Sequence, residues 1–121
     1  MHFYWTMPKG LKVYYTQELD SSRQNQLRGS QPLAWRHLER AHILSQAWSM
    51  QHTYTHWRML QFGVATKSWR EVLGQLPRLL LGGIKSFVGI IPVGNTGGAN
   101  VPPLRAMGIP EDLKKILKRY K

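Results

Sequence analysis

The chain contains no cysteine. That excludes disulfides, thiolate zinc sites, iron–sulfur clusters and cysteine nucleophiles, and it is consistent with a reducing compartment. Acidic residues are scarce as well, six Asp and Glu against 17 Lys and Arg. Paired carboxylates for general acid–base work therefore have few sources: Glu18 and Asp20 lie on a polar segment, and Glu111 and Asp112 at a helix start. A long apolar run is missing too. The stretch Leu79–Val93 is interrupted by Lys85, Ser86, two consecutive glycines and Pro92, which makes it too short and too broken to span a bilayer. Residues 1–7 carry neither a basic n-region nor a long apolar h-region and do not read as a signal peptide; Met7-Pro8-Lys9 is an alternative start. Phosphate-binding glycine fingerprints and a nucleophile elbow are likewise missing. The expectation is a cytoplasmic protein that is not an enzyme.

What the chain has is positive charge. The net value is +11 with a pI near 10.5, which favours an acidic peptide or protein partner, nucleic acid or an anionic membrane surface. Clustering is modest: Lys114, Lys115, Lys118, Arg119 and Lys121 crowd the C-terminus and the rest are scattered. At 121 residues and 42% hydrophobic, the chain is expected to form one domain over 1–121 with a single core. Within it, 1–7 is expected to be a flexible or extended N-terminus, 92–109 a loop and 110–121 a basic terminal helix.

Helical periodicity organises the remainder. A first helix is predicted from Leu11 to Leu27, with Tyr15, Leu19 and Ser22 on one side. A second, from Pro32 to Trp48, carries the stripe Ala34, Leu38, Ala41, Ser45, Trp48. A third, from Met50 to Thr66, aligns His52, His56, Met59 and Gly63 after a turn near Ser49. A fourth starts at Ser68, with Glu71 completing a capping box, and Pro77 is expected to kink or break it. The apolar run that follows reads as a cap over the open end of the helical stack, or as a segment lying in a membrane surface. Pro92–Pro103 is a loop in which Asn95, Thr96, Gly97 and Gly98 form a candidate anion cradle, or simply a permissive turn. A short helix from Pro110 has acids in its first turn and bases in its last.

The spacing of Gly29, Ala34, Leu38 and Ala41 resembles one tetratricopeptide unit. About 34 residues on, Gly63, Trp69 and Arg70 echo Gly29, Trp35 and Arg36. The resemblance implies an all-α fold: two antiparallel helical hairpins, a kinked C-terminal helix, a Gly-rich loop and a short terminal helix. It also places Gly29 and Gly63 in equivalent turns, with Trp35 and Trp69 in equivalent orientations.

In that register His42, His52 and His56 replace packing residues at one shared interface. His52 and His56 are i, i+4, with Cβ atoms about 6 Å apart on one helix face. Counted outward from the turn near Ser49, His42 lies level with His56 across the pair. Three imidazoles and one open position suit zinc, copper, nickel or iron. Glu39 is a candidate fourth ligand or an acceptor fixing a histidine tautomer, and Met59 a soft ligand that would favour copper(I). The alternative is a buried polar cluster bonded to Ser45, Thr53, Tyr54 and Thr55. His2 and His37 are read as surface residues.

The segments AWRHLERAHILSQ (34–46), His52, His56-Trp57, Met59-Leu60, SWREVLGQLPRLLL (68–81) and PVGNTGGANV (92–101) together resemble the bacterial domain of unknown function 3703 family, over roughly Pro8 to Leu113. The resemblance implies a small helical bacterial protein and brings no activity with it. Helical repeats of this kind are generally binding modules. The function expected first is therefore a non-enzymatic adaptor, then a three-histidine metal-binding protein, then a nucleic-acid or membrane-surface binder.

Overall fold

A computed structural model describes residues 7–80 and 108–120, and these residues form five helices. They are α1 (Lys9–Leu27), α2 (Gln31–Ser45), α3 (Ser49–Ala65), α4 (Trp69–Leu80) and α5 (Glu111–Lys118). Successive helices pack as hairpins. Ser22 Oγ donates to the Ala34 carbonyl between α1 and α2, and Ser45 meets Thr55 between α2 and α3. Gly63 abuts Glu71 and Val72 between α3 and α4. Each pairing joins residues counted in opposite directions from the intervening turn, so neighbours run antiparallel. The all-α fold of helical hairpins is as expected, and no described helix is long and apolar enough to cross a membrane.

The core follows the predicted stripes. Leu11, Tyr15, Leu19 and Ser22 are buried on α1, and Ala34, Leu38, Ala41 and Leu44 on α2. Met59 and Phe62 join them from α3, and Leu113 and Leu117 from α5. Met7, assigned above to an extended N-terminus, is buried in the same cluster. Two boundaries differ by more than one residue. Helix α1 starts at Lys9 because Pro8, with φ −54° and ψ 142°, is extended yet accepts the first helical bond from Lys12 N–H at 2.9 Å. Helix α2 ends at Ser45, three residues early. Trp48 turns to φ −119°, buries its ring, and accepts the His52 N–H at 2.9 Å as the residue that opens α3.

The repeat register also needs correction. Gly63 lies inside α3, not in a turn, and the residue that takes the left-handed conformation between α3 and α4 is Lys67, φ 58°. At the first turn, Gly29 (φ 82°) donates to Gln26 O and Ser30 to Asn25 O; at the second, Lys67 donates to Val64 O and Ser68 to Gly63 O. These are the same helix-ending pattern, so Lys67 is the counterpart of Gly29. Gly63 matters instead through close packing: a Cβ there would stand 3.2 Å from both Glu71 Cβ and Val72 Cγ2. The two tryptophans are not equivalent either. Trp35 packs on the core at 5.5 Å from the Phe62 ring, whereas Trp69 is 63% exposed.

Pro77 lies within α4, which continues to Leu80 and is not broken. The backbone bond that proline removes would have gone to Leu73, on an exposed position of the helix. The apolar run from residue 81, the 92–107 stretch with its candidate anion cradle, and His2 lie outside the described residues.

Helix α5 is docked by Arg40. Its Nε reaches Glu18 Oε1 at 2.8 Å on α1, and its Nη1 and Nη2 form a fork on the Asp112 carboxylate. His37, expected at the surface, is partly buried beside them with Nδ1 2.7 Å from Glu18 Oε2.

Two predictions arise. Gly29→Ala places a Cβ in the left-handed region and should lower stability by about 1 kcal/mol, whereas Lys67→Gly relieves the same conformation and should raise it by roughly 0.5–1 kcal/mol. Urea unfolding of the two variants checks the opposite signs. Second, the Arg40 guanidinium holds the Asp112 carboxyl below its ordinary value of 3.8. A depressed folded value means the contact is fully stabilising above that ordinary value and is lost as pH falls through the lowered one. Amide resonances of 113–117 should therefore shift together in acid below pH 4 in the wild type and stay flat over that range in Asp112→Asn.

Candidate metal centre

The α2–α3 corner brings three imidazoles into one buried volume. His42 comes from the last turn of α2, and His52 and His56 from successive turns of α3. They are 1%, 5% and 2% exposed. Their ring centroids are 4.7–4.8 Å apart with tilted or edge-on planes. The Nε2 atoms converge: 2.9 Å from His42 to His52, 3.1 Å from His42 to His56, and 3.2 Å from His52 to His56.

Each Nε2 offers one in-plane position, occupied by a lone pair or by a proton. Two facing nitrogens are satisfied by one shared proton. Three mutually facing nitrogens can share one proton only as a three-centre bond, in which a single N–H is divided between two acceptors. A cation accepting three lone pairs satisfies all of them at once.

One tautomer is set by the surroundings. Gln75 Nε2 donates to the Glu71 carboxylate at 3.0 Å and approaches Met59 Sδ at 3.6 Å. That orientation turns Gln75 Oε1 toward His56 Nδ1 at 2.6 Å, so the His56 Nδ1–H donates and its Nε2 carries the lone pair. Gln75 is fully buried and its amide is matched on both sides. A carboxylate–amide–imidazole chain therefore runs from α4 into the centre, of the kind that orients metal-bound histidines.

A second polar chain supports the corner from α1. Thr55 Oγ1 donates to the Gln51 carbonyl at 2.8 Å, the Tyr15 hydroxyl lies 2.9 Å from Thr55 Oγ1, and Ser45 Oγ is 3.2 Å from both Thr55 Oγ1 and the His42 carbonyl. Burial pushes the Tyr15 phenol up to about 12 against the opposing Thr55 hydrogen bond, so it stays a neutral hydroxyl. The Ser45 and Thr55 hydroxyls expected to bond the histidines thus serve the backbone instead. Buried Arg78, further along α4, is lowered from its ordinary value by desolvation, opposed by attraction to Glu71.

The three predicted histidines are brought together, and among the described residues they form the group whose ligand atoms could hold a metal ion. Glu39 lies outside it. At three residues before His42 its side chain leaves α2 about 60° around the axis, and its Oε1 is 3.8 Å from Arg36 Nη1. Met59 is buried, with its sulfur beside the Gln75 amide. Gln75 was not foreseen; the one trace it leaves in the sequence is its i, i+4 relation to Glu71.

The family described as "Protein of unknown function (DUF3703)" matches residues 9–117. The chain belongs to that family. The match spans all five described helices except the outermost residue of α5, so the three histidines, Gln75 and Glu71 all lie within the family's domain. Comparison with curated proteins gives no significant match, and comparison with solved structures gives none either.

If Gln75 sets the His56 tautomer, Gln75→Leu should weaken zinc affinity by roughly 10- to 100-fold. Competition against a chromophoric chelator measures it.

Proposed function

We propose that the protein is a metal-binding protein whose ion is held by Nε2 of His42, His52 and His56. The observation that carries this reading is the mutual approach of three buried Nε2 atoms to 2.9–3.2 Å, which lets three lone pairs meet at one cation. Neutral imidazole suits zinc, copper and nickel, and zinc–nitrogen bonds of about 2.0–2.1 Å fit a triangle of this size. The lack of cysteine in the chain removes thiolate competition for the ion. The binding-module reading rests on charge and fold analogy, and stands behind this one.

Untagged protein purified without chelator should carry about one transition-metal ion per chain by elemental analysis. Metal present at about a hundred times its Kd should stabilise the fold by about 2.7 kcal/mol, seen as a rise in Tm on the order of 10 °C. His56→Ala should lose both the stoichiometric metal and the metal-dependent rise. Affinity should fall with acidification, because protonated imidazole does not ligate. A metal-free sample whose Tm is the same in chelator and in excess zinc, copper or nickel would leave the histidines as a structural polar cluster.

A further inference from the structure

A polar cleft of about 210 Å³ lies between α1 and α3. Arg23 and Gln26 line it from α1, Arg58 and Gln61 from α3, and the buried side chains of Leu38 and Phe62 close its base. Each wall pairs an arginine with a glutamine three residues on, the spacing that sets both on one helix face. Two basic residues that look scattered in the sequence thus share one cavity.

Arg58 is steadied from two directions. Its Nη2 donates to the Leu19 carbonyl at 3.4 Å, one turn before Arg23 on α1, and its guanidinium carbon lies 5.9 Å from the centre of the Tyr54 ring. A side chain already held in place loses less freedom when a ligand arrives. The amides of Gln26 and Gln61 bring further N–H donors. One effect opposes an anion here: Gln26 and Ala65, close to the C-terminal ends of α1 and α3, also line the cleft. That opposition amounts to about half a negative charge per helix, against a full positive charge on each arginine. The last carbonyls are moreover already engaged. Those of Gln24, Asn25 and Gln26 accept from the N–H groups of Arg28, Ser30 and Gly29, and those of Phe62, Gly63 and Val64 from Thr66, Ser68 and Lys67.

The donor set also selects the kind of anion. Guanidinium groups reaching in from two walls suit a ligand whose acceptor oxygens spread in three dimensions. A phosphoryl group offers three such oxygens and up to two charges, whereas a carboxylate offers two oxygens in one plane. The cleft is smaller than the roughly 300–1,000 Å³ that drug-sized ligands occupy, which favours a small ion or ester. We propose that this cleft binds a phosphate-type oxyanion, free or as a small ester, between the guanidinium groups of Arg23 and Arg58. The site needs no metal and is independent of the histidine cluster.

Inorganic phosphate is the probe. The full chain in metal-free buffer would be titrated at constant ionic strength, with chloride as the balancing anion, while NMR follows the backbone amides and the arginine Nε–H groups. The expected result is a saturable shift fitting one phosphate per chain, centred on residues 22–26 and 58–65 and not produced by chloride. Arg23→Gln and Arg58→Gln should each weaken phosphate by about tenfold, the scale of one charge-assisted hydrogen bond. Arg23 is exposed, so its variant keeps the test valid if Arg58→Gln disturbs the fold. Lys114→Gln, which removes the same charge from α5, should leave the affinity unchanged. Glycerol 3-phosphate titrated in parallel separates the sources, since tighter binding than inorganic phosphate assigns the site to an ester and equal or weaker binding to the free ion. Equal losses in Arg23→Gln and Lys114→Gln, or shifts without saturation, would overturn the site in favour of diffuse attraction by the net charge of +11. Acetate bound as tightly as phosphate would overturn the class of ligand.

Discussion

Much of this fold leans on α2, whose C-terminal end has almost no free side. Ala34, Leu38 and Ala41 are buried, the first bonded to Ser22 of α1, Arg40 reaches α1 and α5, and the four consecutive residues His42 to Ser45 are all buried. An ordinary surface helix shows one apolar stripe. A helix closed in on several sides at its C-terminal end must instead find internal partners for every polar atom there. Once that constraint is imposed, the placement of His42 and Ser45 is not free. Each polar group must meet another polar group from α1, α3 or α4, and buried polar networks are tolerable only when their members are satisfied.

Two separate chains meet that demand. One is a hydroxyl chain, Tyr15–Thr55–Ser45, which serves backbone carbonyls at the ends of α2 and α3. The other is the Glu71–Gln75–His56 chain. They divide the labour: the first joins helices without touching an imidazole nitrogen, and the second orients one imidazole from behind. The Nε2 atoms of the three histidines are thereby left facing one another.

Much of this was legible in the sequence, and what was not has physical causes. The stripes of α1 and α3 followed from 3.6-residue periodicity, and so did Ala34, Leu38 and Ala41 on α2, before its closed-in end. The i, i+4 pair on α3 and the level position of His42 needed only helix geometry and a short turn. The end of α2 was hidden because Gln46, Ala47 and Trp48 are compatible with helix and are turned out of it by the burial of Trp48. Gly63 passed for a turn residue because glycine serves both left-handed turns and close helix packing, whereas the actual turn uses Lys67. Arg40 meets Asp112 across 72 positions, a distance at which no local pattern speaks. Gln75 was invisible for another reason: a lone glutamine on a helix announces neither its burial nor its partner.

The separation of the three histidines along the chain has a consequence for how the cluster can form. His42 and His56 are only 14 positions apart, and His52 lies between them. Bringing them together closes a short loop, and loop-closure entropy grows with loop length. The Arg40–Asp112 contact closes a far longer one. The centre is thus a local construction of a single helical corner, and its assembly does not have to wait for the two ends of the chain to meet.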